Sequence, residues 1–221
     1  MTAWSYSSIN TFKQCPKKYY HLKILKDVKD VGNSATFYGN AVHKAAEKYI
    51  KQGEPIPTKF DYIKKPLEAL NRIKGQKLCE LRMAIAKKGN TYSPTRYHSA
   101  DAWWRGIADL VIVNDEKAYI VDYKTGKNTA YADTKQLDML AGATFVCYPY
   151  VKVIKSALAY VVSNDFIKKQ HTVDMYKSYL SVFDEALEQL AVAKEKNVWN
   201  AIDGPLCAYC PVTSCEHNRK Q

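Results

Sequence analysis

Gly106-Ile107-Ala108-Asp109-Leu110-Val111-Ile112-Val113 and Ala118-Tyr119-Ile120-Val121-Asp122-Tyr123-Lys124-Thr125-Gly126 are two apolar runs joined across the turn-forming pair Asn114-Asp115. Side chains alternate along a strand, so Asp122 and Lys124 project from one face, and Val121 and Tyr123 from the other. Asp109 opens the run Leu110 to Val113, where a carboxylate is costly to bury without a partner. Two carboxylates on adjacent strands with a lysine beside them make an oxygen-ligand site for Mg²⁺. Spacing alone also admits a plainer reading, an Asp122–Lys124 ion pair at a strand end.

Outward from this pair, the pattern alternates between helix and strand periods. Residues 5–14 read as a short helix with serines available as N-cap, ended by Cys15-Pro16. A second helix is expected from about Gly39 to Lys51, with Val42, Ala45, Ala46 and Tyr49 as its stripe, and a third from Phe60 to about Lys74. Over 77–85 the period changes to two: Cys79, Leu81, Met83 and Ile85 alternate with Glu80, Arg82 and Ala84. Strands are expected at 103–113, 118–124, 156–162 and 167–172, with a helix at 133–146 between the second and third. One last helix is expected over 173–196, carrying Tyr176, Leu180, Phe183, Leu187 and Leu190. This order predicts one domain over 1–221, an α/β fold with a mixed central sheet flanked by helices.

The composition fits that expectation. Of 221 residues 47% are hydrophobic and 25% charged, which excludes wholesale disorder. No run of about 18 apolar residues exists, so no membrane span is expected. The first residues lack an apolar signal core, so a cytoplasmic protein is expected. Lys and Arg outnumber Asp and Glu 33 to 22, a net +11 that suits either a solvated surface or a polyanion partner. Basic pairs interleaved with aromatics, such as Lys17-Lys18-Tyr19-Tyr20-His21, tilt the choice modestly toward nucleic acid.

Of six cysteines, Cys79 and Cys147 read as small core residues, whereas Cys207, Cys210 and Cys215 crowd one tail. Clustering of that kind in a reducing compartment points to metal ligation. Two ligand sets are open: a Cys₃His zinc site completed by His217, or a Cys₄ iron–sulfur site completed by Cys15.

In chain order, the segment Ser5 to Cys15-Pro16, Tyr38-Gly39-Asn40-Ala41-Val42-His43, Gly106 to Asp109, Ile120 to Gly126, Gln136 and the closing cysteines span nearly the whole chain. Together they resemble the PD-(D/E)XK nuclease superfamily, in its branch of RecB-type domains, CRISPR-adaptation nucleases and phage exonucleases. Two positions depart from that pattern: Ala108 stands where a proline is usual, and Leu140 where a tyrosine is frequent. The resemblance implies a restriction-endonuclease-like fold and a Mg²⁺- or Mn²⁺-dependent deoxyribonuclease. In it, His43, Asp109, Asp122 and the backbone carbonyl of Tyr123 would ligate metal, with Glu80 as a further acid. Lys124 would position and help deprotonate the attacking water, and Gln136 would orient water or a phosphate oxygen. The resemblance also favours a four-iron cluster on Cys15, Cys207, Cys210 and Cys215, stapling the N-terminal segment to the tail 204–221. Zinc is the alternative.

The activity so implied is an exonuclease at DNA ends in recombination, repair or replication, with a viral source and a bacterial or virus-infected cytoplasm as the setting. Two other roles fit the same residues: an accessory that trims DNA for a CRISPR-adaptation or recombination partner, and a DNA-binding module without catalysis. The presence of His43, Asp109, Asp122 and Lys124 argues against the last. The sequence has no G-x-x-x-x-G-K-[ST] stretch, so unwinding is expected from a recombinase, single-strand-binding or helicase partner.

Overall fold

The computed structural model describes residues 3–126, 128–130 and 132–219; Lys220 and Gln221 of the tail, with Met1, Thr2, Lys127 and Tyr131, lie outside the described residues. The elements are, in order, α1 (Tyr6–Gln14), α2 (Pro16–Tyr19), a π-helical turn (Tyr20–Leu25) and α3 (Ser34–Gln52). A 3₁₀ segment (Thr58–Ile63) leads into α4 (Lys64–Arg72), followed by β1 (Gln76–Lys88), β2 (Thr91–Pro94), β3 (Trp104–Asn114) and β4 (Lys117–Lys124). Then come α5 (Lys135–Cys147), β5 (Val153–Tyr160), β6 (Asp165–Thr172), α6 (Tyr176–Leu180) and α7 (Asp184–Lys196). The described residues divide into two compact units, Ala3 with Asn33–Val182 being the larger, and Trp4–Gly32 with 183–219 forming the other.

The larger unit is built on one six-stranded sheet in the order β2-β1-β3-β4-β5-β6. All neighbours pair antiparallel except β4 and β5, which run parallel. A parallel pair needs a crossover, and α5 supplies it. Helices α3 and α4 bury Val42, Ala46, Ile50 and Leu67 against Leu110, Ile112, Val121 and Tyr123 on one face of the sheet. On the other face, α5 is buried along nearly its whole length. There Leu137 packs with Leu158 and Tyr160, and Thr144 Oγ1 meets the Met83 sulfur at 3.6 Å. The architecture is a mixed α/β sheet flanked by helices, consistent with the restriction-endonuclease-like arrangement.

Three expectations change. First, Cys79 and Met83 do not share a face: Cys79 packs with Leu110 on the α3 side, while Met83 reaches α5. Glu80 between them has φ 50°, a left-handed conformation that re-phases the alternation. The pairing continues across it, from Cys79↔Leu110 to Leu81↔Ala108, so β3 turns in step. Second, the helix expected over 173–196 is two helices, α6 and α7, separated at 181–183. Leu180 buries in the larger unit, 2.8 Å from where a Gly142 Cβ would stand, whereas Phe183 packs edge-on to Trp4 and Tyr6 in the smaller. One stripe thus serves two cores, and the helix breaks between them. Third, β2 is an added strand, and α3 begins at Ser34, where the Asn33 side chain accepts from Thr36 N–H.

In the smaller unit Ser5 and Ser8 form a reciprocal capping box at the start of α1. Cys15 is extended (φ −165°, ψ 108°), closing α1 and opening α2 with Pro16 at its first position. Trp199 stacks on Tyr20 with ring centroids 4.9 Å apart.

A buried polar knot joins α5 to the edge of the sheet in the larger unit. Asp138 Oδ1 lies 2.9 Å from His171 Nε2, and Lys169 Nζ donates to Asp138 Oδ2 at 2.7 Å. Burial opposes ionisation of Asp138, but the hydrogen bonds from His171 and Lys169 outweigh it and hold the carboxyl below its ordinary value. A depressed carboxyl stabilises the fold above its unfolded pKa, and that contribution is lost as pH falls through the folded value. Asp138→Ala should therefore cost about 2–3 kcal/mol at neutral pH by denaturant melts, less than the ~3–5 of a fully buried pair because Lys169 is partly exposed. The difference from wild type should shrink below about pH 4.

Candidate active site

The β3–β4 ladder is registered from Asn114↔Lys117 to Leu110↔Val121 and stops there. One residue further on β3, Asp109 takes over: its Oδ2 accepts the Tyr123 backbone N–H at 2.7 Å. Its Oδ1 lies 3.2 Å from His43 Nδ1, on α3. Gly39, one turn before His43, runs close to the loop after β4, since a Cβ there would stand 3.3 Å from Thr125 Oγ1. Glu80 completes the group: ligand atoms of His43, Glu80 and Asp109 all lie within 4.8 Å of one another, the one such trio among the described residues.

Beside this trio sits a closed triangle. Gln136 Nε2 donates to Asp122 Oδ1 at 2.5 Å, and Lys124 Nζ donates to Gln136 Oε1 at 2.9 Å. Lys124 Nζ also lies 2.5 Å from Asp122 Oδ2. That contact pairs the ammonium with the buried Oδ2 as a close ion pair. Asp122 and Lys124 do share a strand face, and Gln136 reaches them from the first turn of α5. The Asp122 carboxylate stands with Lys124 and Gln136, outside the His43–Glu80–Asp109 trio.

The electrostatics follow from crowding acids in partial burial. Burial pushes the Asp122 carboxyl up, Lys124 pulls it down, and the Asp109 charge pushes it up again, leaving it raised. Burial and the Asp109 charge likewise raise Glu80. Burial lowers the His43 imidazole, but Asp109, Asp122 and the Tyr123 backbone outweigh it, and the net shift is upward. Burial is the largest influence on each, and the Asp109 charge adds an upward push to all three, a local deficit of positive charge.

A divalent cation fits that deficit. The donors are one imidazole and carboxylate oxygens, the hard set that Mg²⁺ and Mn²⁺ accept. His43, Glu80 and Asp109 would hold the ion, and Asp122 and the Tyr123 backbone border the same space.

Residues 3–215 match the PD-(D/E)XK nuclease superfamily, and the chain belongs to it. Membership implies a metal-dependent nuclease, a hydrolase whose substrate is DNA. Among solved structures, SSO0001 is similar at a TM-score of 0.52 and 12% identity, covering 99% of this chain and 88% of that one. A protein of Eubacterium rectale named "Putative exonuclease" is similar at a TM-score of 0.52 and 15% identity, covering 99% of this chain and 89% of that one. At these identities the likeness is one of fold. A search of the curated proteins finds no match. Among the described residues no helix is long and apolar enough to cross a membrane.

The four cysteines Cys15, Cys207, Cys210 and Cys215 all belong to the smaller unit and line one cavity of about 190 Å³, with His217. None forms a disulfide. Lys18 N–H donates to Cys15 Sγ at 3.4 Å, and the Cys207 thiol to Ile202 O at 3.7 Å.

The residue the sequence leaves without a signal is Thr125, which faces Gly39; only the packing of α3 against the loop reveals it. Asp109→Asn keeps an acceptor for Tyr123 N–H while removing the charge at the trio. Titration calorimetry with Mn²⁺ should show at least about ten-fold weaker binding than wild type, with an unchanged melting profile.

Proposed function

We propose that the protein is a Mg²⁺- or Mn²⁺-dependent deoxyribonuclease working as an exonuclease at DNA ends, in recombination, repair or replication. The observation that carries the reading is the Asp122–Lys124–Gln136 triangle beside the His43–Glu80–Asp109 trio. The exonuclease assignment draws on the resemblance to RecB-type and phage nucleases and on the name of the Eubacterium rectale neighbour.

Cleavage of a phosphodiester needs a water turned toward phosphorus and relief of charge on the phosphate. A divalent ion in the trio supplies charge neutralisation, a more acidic bound water and a partner for the leaving oxygen. Lys124 Nζ has three hydrogens; Gln136 and Asp122 engage two of them, so one remains for the water or a phosphate oxygen. Asp122 holds the Lys124 side chain in place, and Gln136 locks both rotamers by bonding each. Asp109 fixes His43 through Oδ1 and the Tyr123 backbone through Oδ2, so one residue orients ligands from two elements.

The cysteine cavity is read as the seat of a four-iron cluster on Cys15, Cys207, Cys210 and Cys215. Four thiolates around a cavity of about 190 Å³ suit a cluster with its own volume. The cluster would tie the segment around Cys15 to the tail and so restrict the unfolded chain.

Asp122→Ala and Lys124→Ala should each lower cleavage of end-labelled DNA by about 10²-fold or more with either metal, while DNA binding persists. A variant cutting at near wild-type rate would overturn the assignment. Anaerobically purified protein should be brown, with iron and sulfide in equal amounts, and Cys15→Ala should bleach it and lower the melting temperature. Colourless, zinc-bearing protein indifferent to Cys15→Ala would select the His217 alternative instead.

A further inference from the structure

The strand face that carries the acidic trio continues past it, and its chemistry changes sign. On β1, Arg82 follows Glu80 by two residues; on β3, Ile107 and Arg105 precede Asp109 by two and four. Pairing sets Arg82 opposite Ile107 and Ala84 opposite Arg105. Met83 turns to α5, so Arg82 and Ala84 face the α3 side, as Glu80 does where it meets His43. Four residues of strand span about 13 Å, so Arg105 lies that far along β3 from Asp109.

Tyr97, in the connection between β2 and β3, is flanked by both arginines. The Arg82 guanidinium lies 5.6 Å and that of Arg105 6.0 Å from its ring centroid. Arg82 is exposed, and Ile107 keeps 39% of its surface. Neither arginine pairs with a carboxylate among the described residues. The acid of the same connection, Asp101, accepts instead from Thr95 Oγ1 at 2.8 Å. Arg105 gives one hydrogen bond to Ser99 O at 3.4 Å, and its Nε is buried without a partner. Two guanidiniums held against one ring repel each other, and a desolvated N–H left unpaired is costly. Both costs are relieved by an anion. A solvated basic patch would spread its arginines into water; this one gathers them around an aromatic face beside an exposed aliphatic side chain.

We propose that this face, Arg82, Tyr97, Arg105 and Ile107, is the track on which a single DNA strand lies as it enters the acidic site. The inference rests on the nuclease reading and names the strand form and the path. Arg82 takes a phosphate next to the scissile one, Arg105 takes one further along, and an unpaired base rests on Tyr97 and Ile107. A duplex keeps its base faces covered by stacking, so only a single strand uses the ring. Guanidiniums suit the task because they bind phosphate oxygens in pairs and still stack on an aromatic face.

The test is fluorescence anisotropy with labelled single-stranded and duplex oligonucleotides in chelator, so that binding is read apart from cleavage. Arg82→Ala, an exposed site that the fold does not need, should weaken single-strand binding about five- to twenty-fold for every sequence tried and flatten the salt dependence by about 0.7 in log–log slope. Tyr97→Leu should weaken single-strand binding about ten-fold and leave duplex binding alone, with Tyr97→Phe restoring it. Arg105→Lys keeps charge but not the paired contacts, and should fall between wild type and Arg82→Ala. Unchanged affinity and salt slope in folded Arg82→Ala would overturn the track, and equal losses for duplex in Tyr97→Leu would overturn the single-strand assignment. Wild-type protein that binds through Arg82 but cuts nothing with Mg²⁺ or Mn²⁺ would instead overturn the nuclease reading. If wild type cuts and Arg82→Ala binds and cuts as well, only the track is overturned.

Discussion

The Asp109 carboxylate holds the Tyr123 backbone N–H at 2.7 Å just beyond the last registered pair of β3 and β4. Two central strands of a buried sheet cannot part cheaply, because each lost rung strands an amide out of reach of water. Here a side chain takes over from a carbonyl, and the strands separate with that donor still satisfied. His43 then enters from α3 to meet the other oxygen of the same carboxylate. Across β1, Glu80 adopts φ 50° and sends its acid into the same space. Strain of that kind, at a non-glycine residue in a strand, persists only where the surrounding pairs over-determine it, as the registered pairs Cys79↔Leu110 and Leu81↔Ala108 on either side of Glu80 do.

The charges around that opening are arranged in two poles. One is the trio of His43, Glu80 and Asp109; the other is Asp122 clamped by Lys124 and Gln136. Burial raises both Glu80 and Asp122 most, and the Asp109 charge adds to each, so the poles are coupled through it. A divalent cation held by the first pole would relieve it, while a lysine and an amide already relieve the second. This division sets Lys124 close to a buried acid with one ammonium hydrogen left over from its two partners. Farther along the strands the sign of the charge reverses at Arg82 and Arg105.

Much of the site was legible because it depends on local parity. Asp122 and Lys124 share a face for the reason any i, i+2 pair in a strand does, and the apolar run after Asp109 marked that acid as unusual. Glu80 was harder. Cys79, Leu81, Met83 and Ile85 look like one continuous alternation, and nothing in a glutamate announces a left-handed backbone, which glycine or asparagine would have done. The helix over 173–196 misled for a related reason: Leu180 and Phe183 are correctly spaced for one stripe, but they bury in different units. Asp138 sits inside the apolar run Leu137 to Leu140, a sign that it had a partner, though His171 and Lys169 could not be named from it.

The chain's own order of residues determined the elements, their apolar faces, the caps around Ser5 and Cys15, and the kinds of ligand on offer. These depend on residues within a turn or two of each other, where backbone geometry translates sequence directly into direction. Only the tertiary structure decided that His43 meets Asp109, 66 residues away, that Gln136 closes a triangle with Asp122 and Lys124, and that Cys15 shares a cavity with the tail cysteines. Such meetings are settled by how helices pack on a sheet and where its strands part. Both are set by burial of the whole core, to which no short stretch of sequence holds the key.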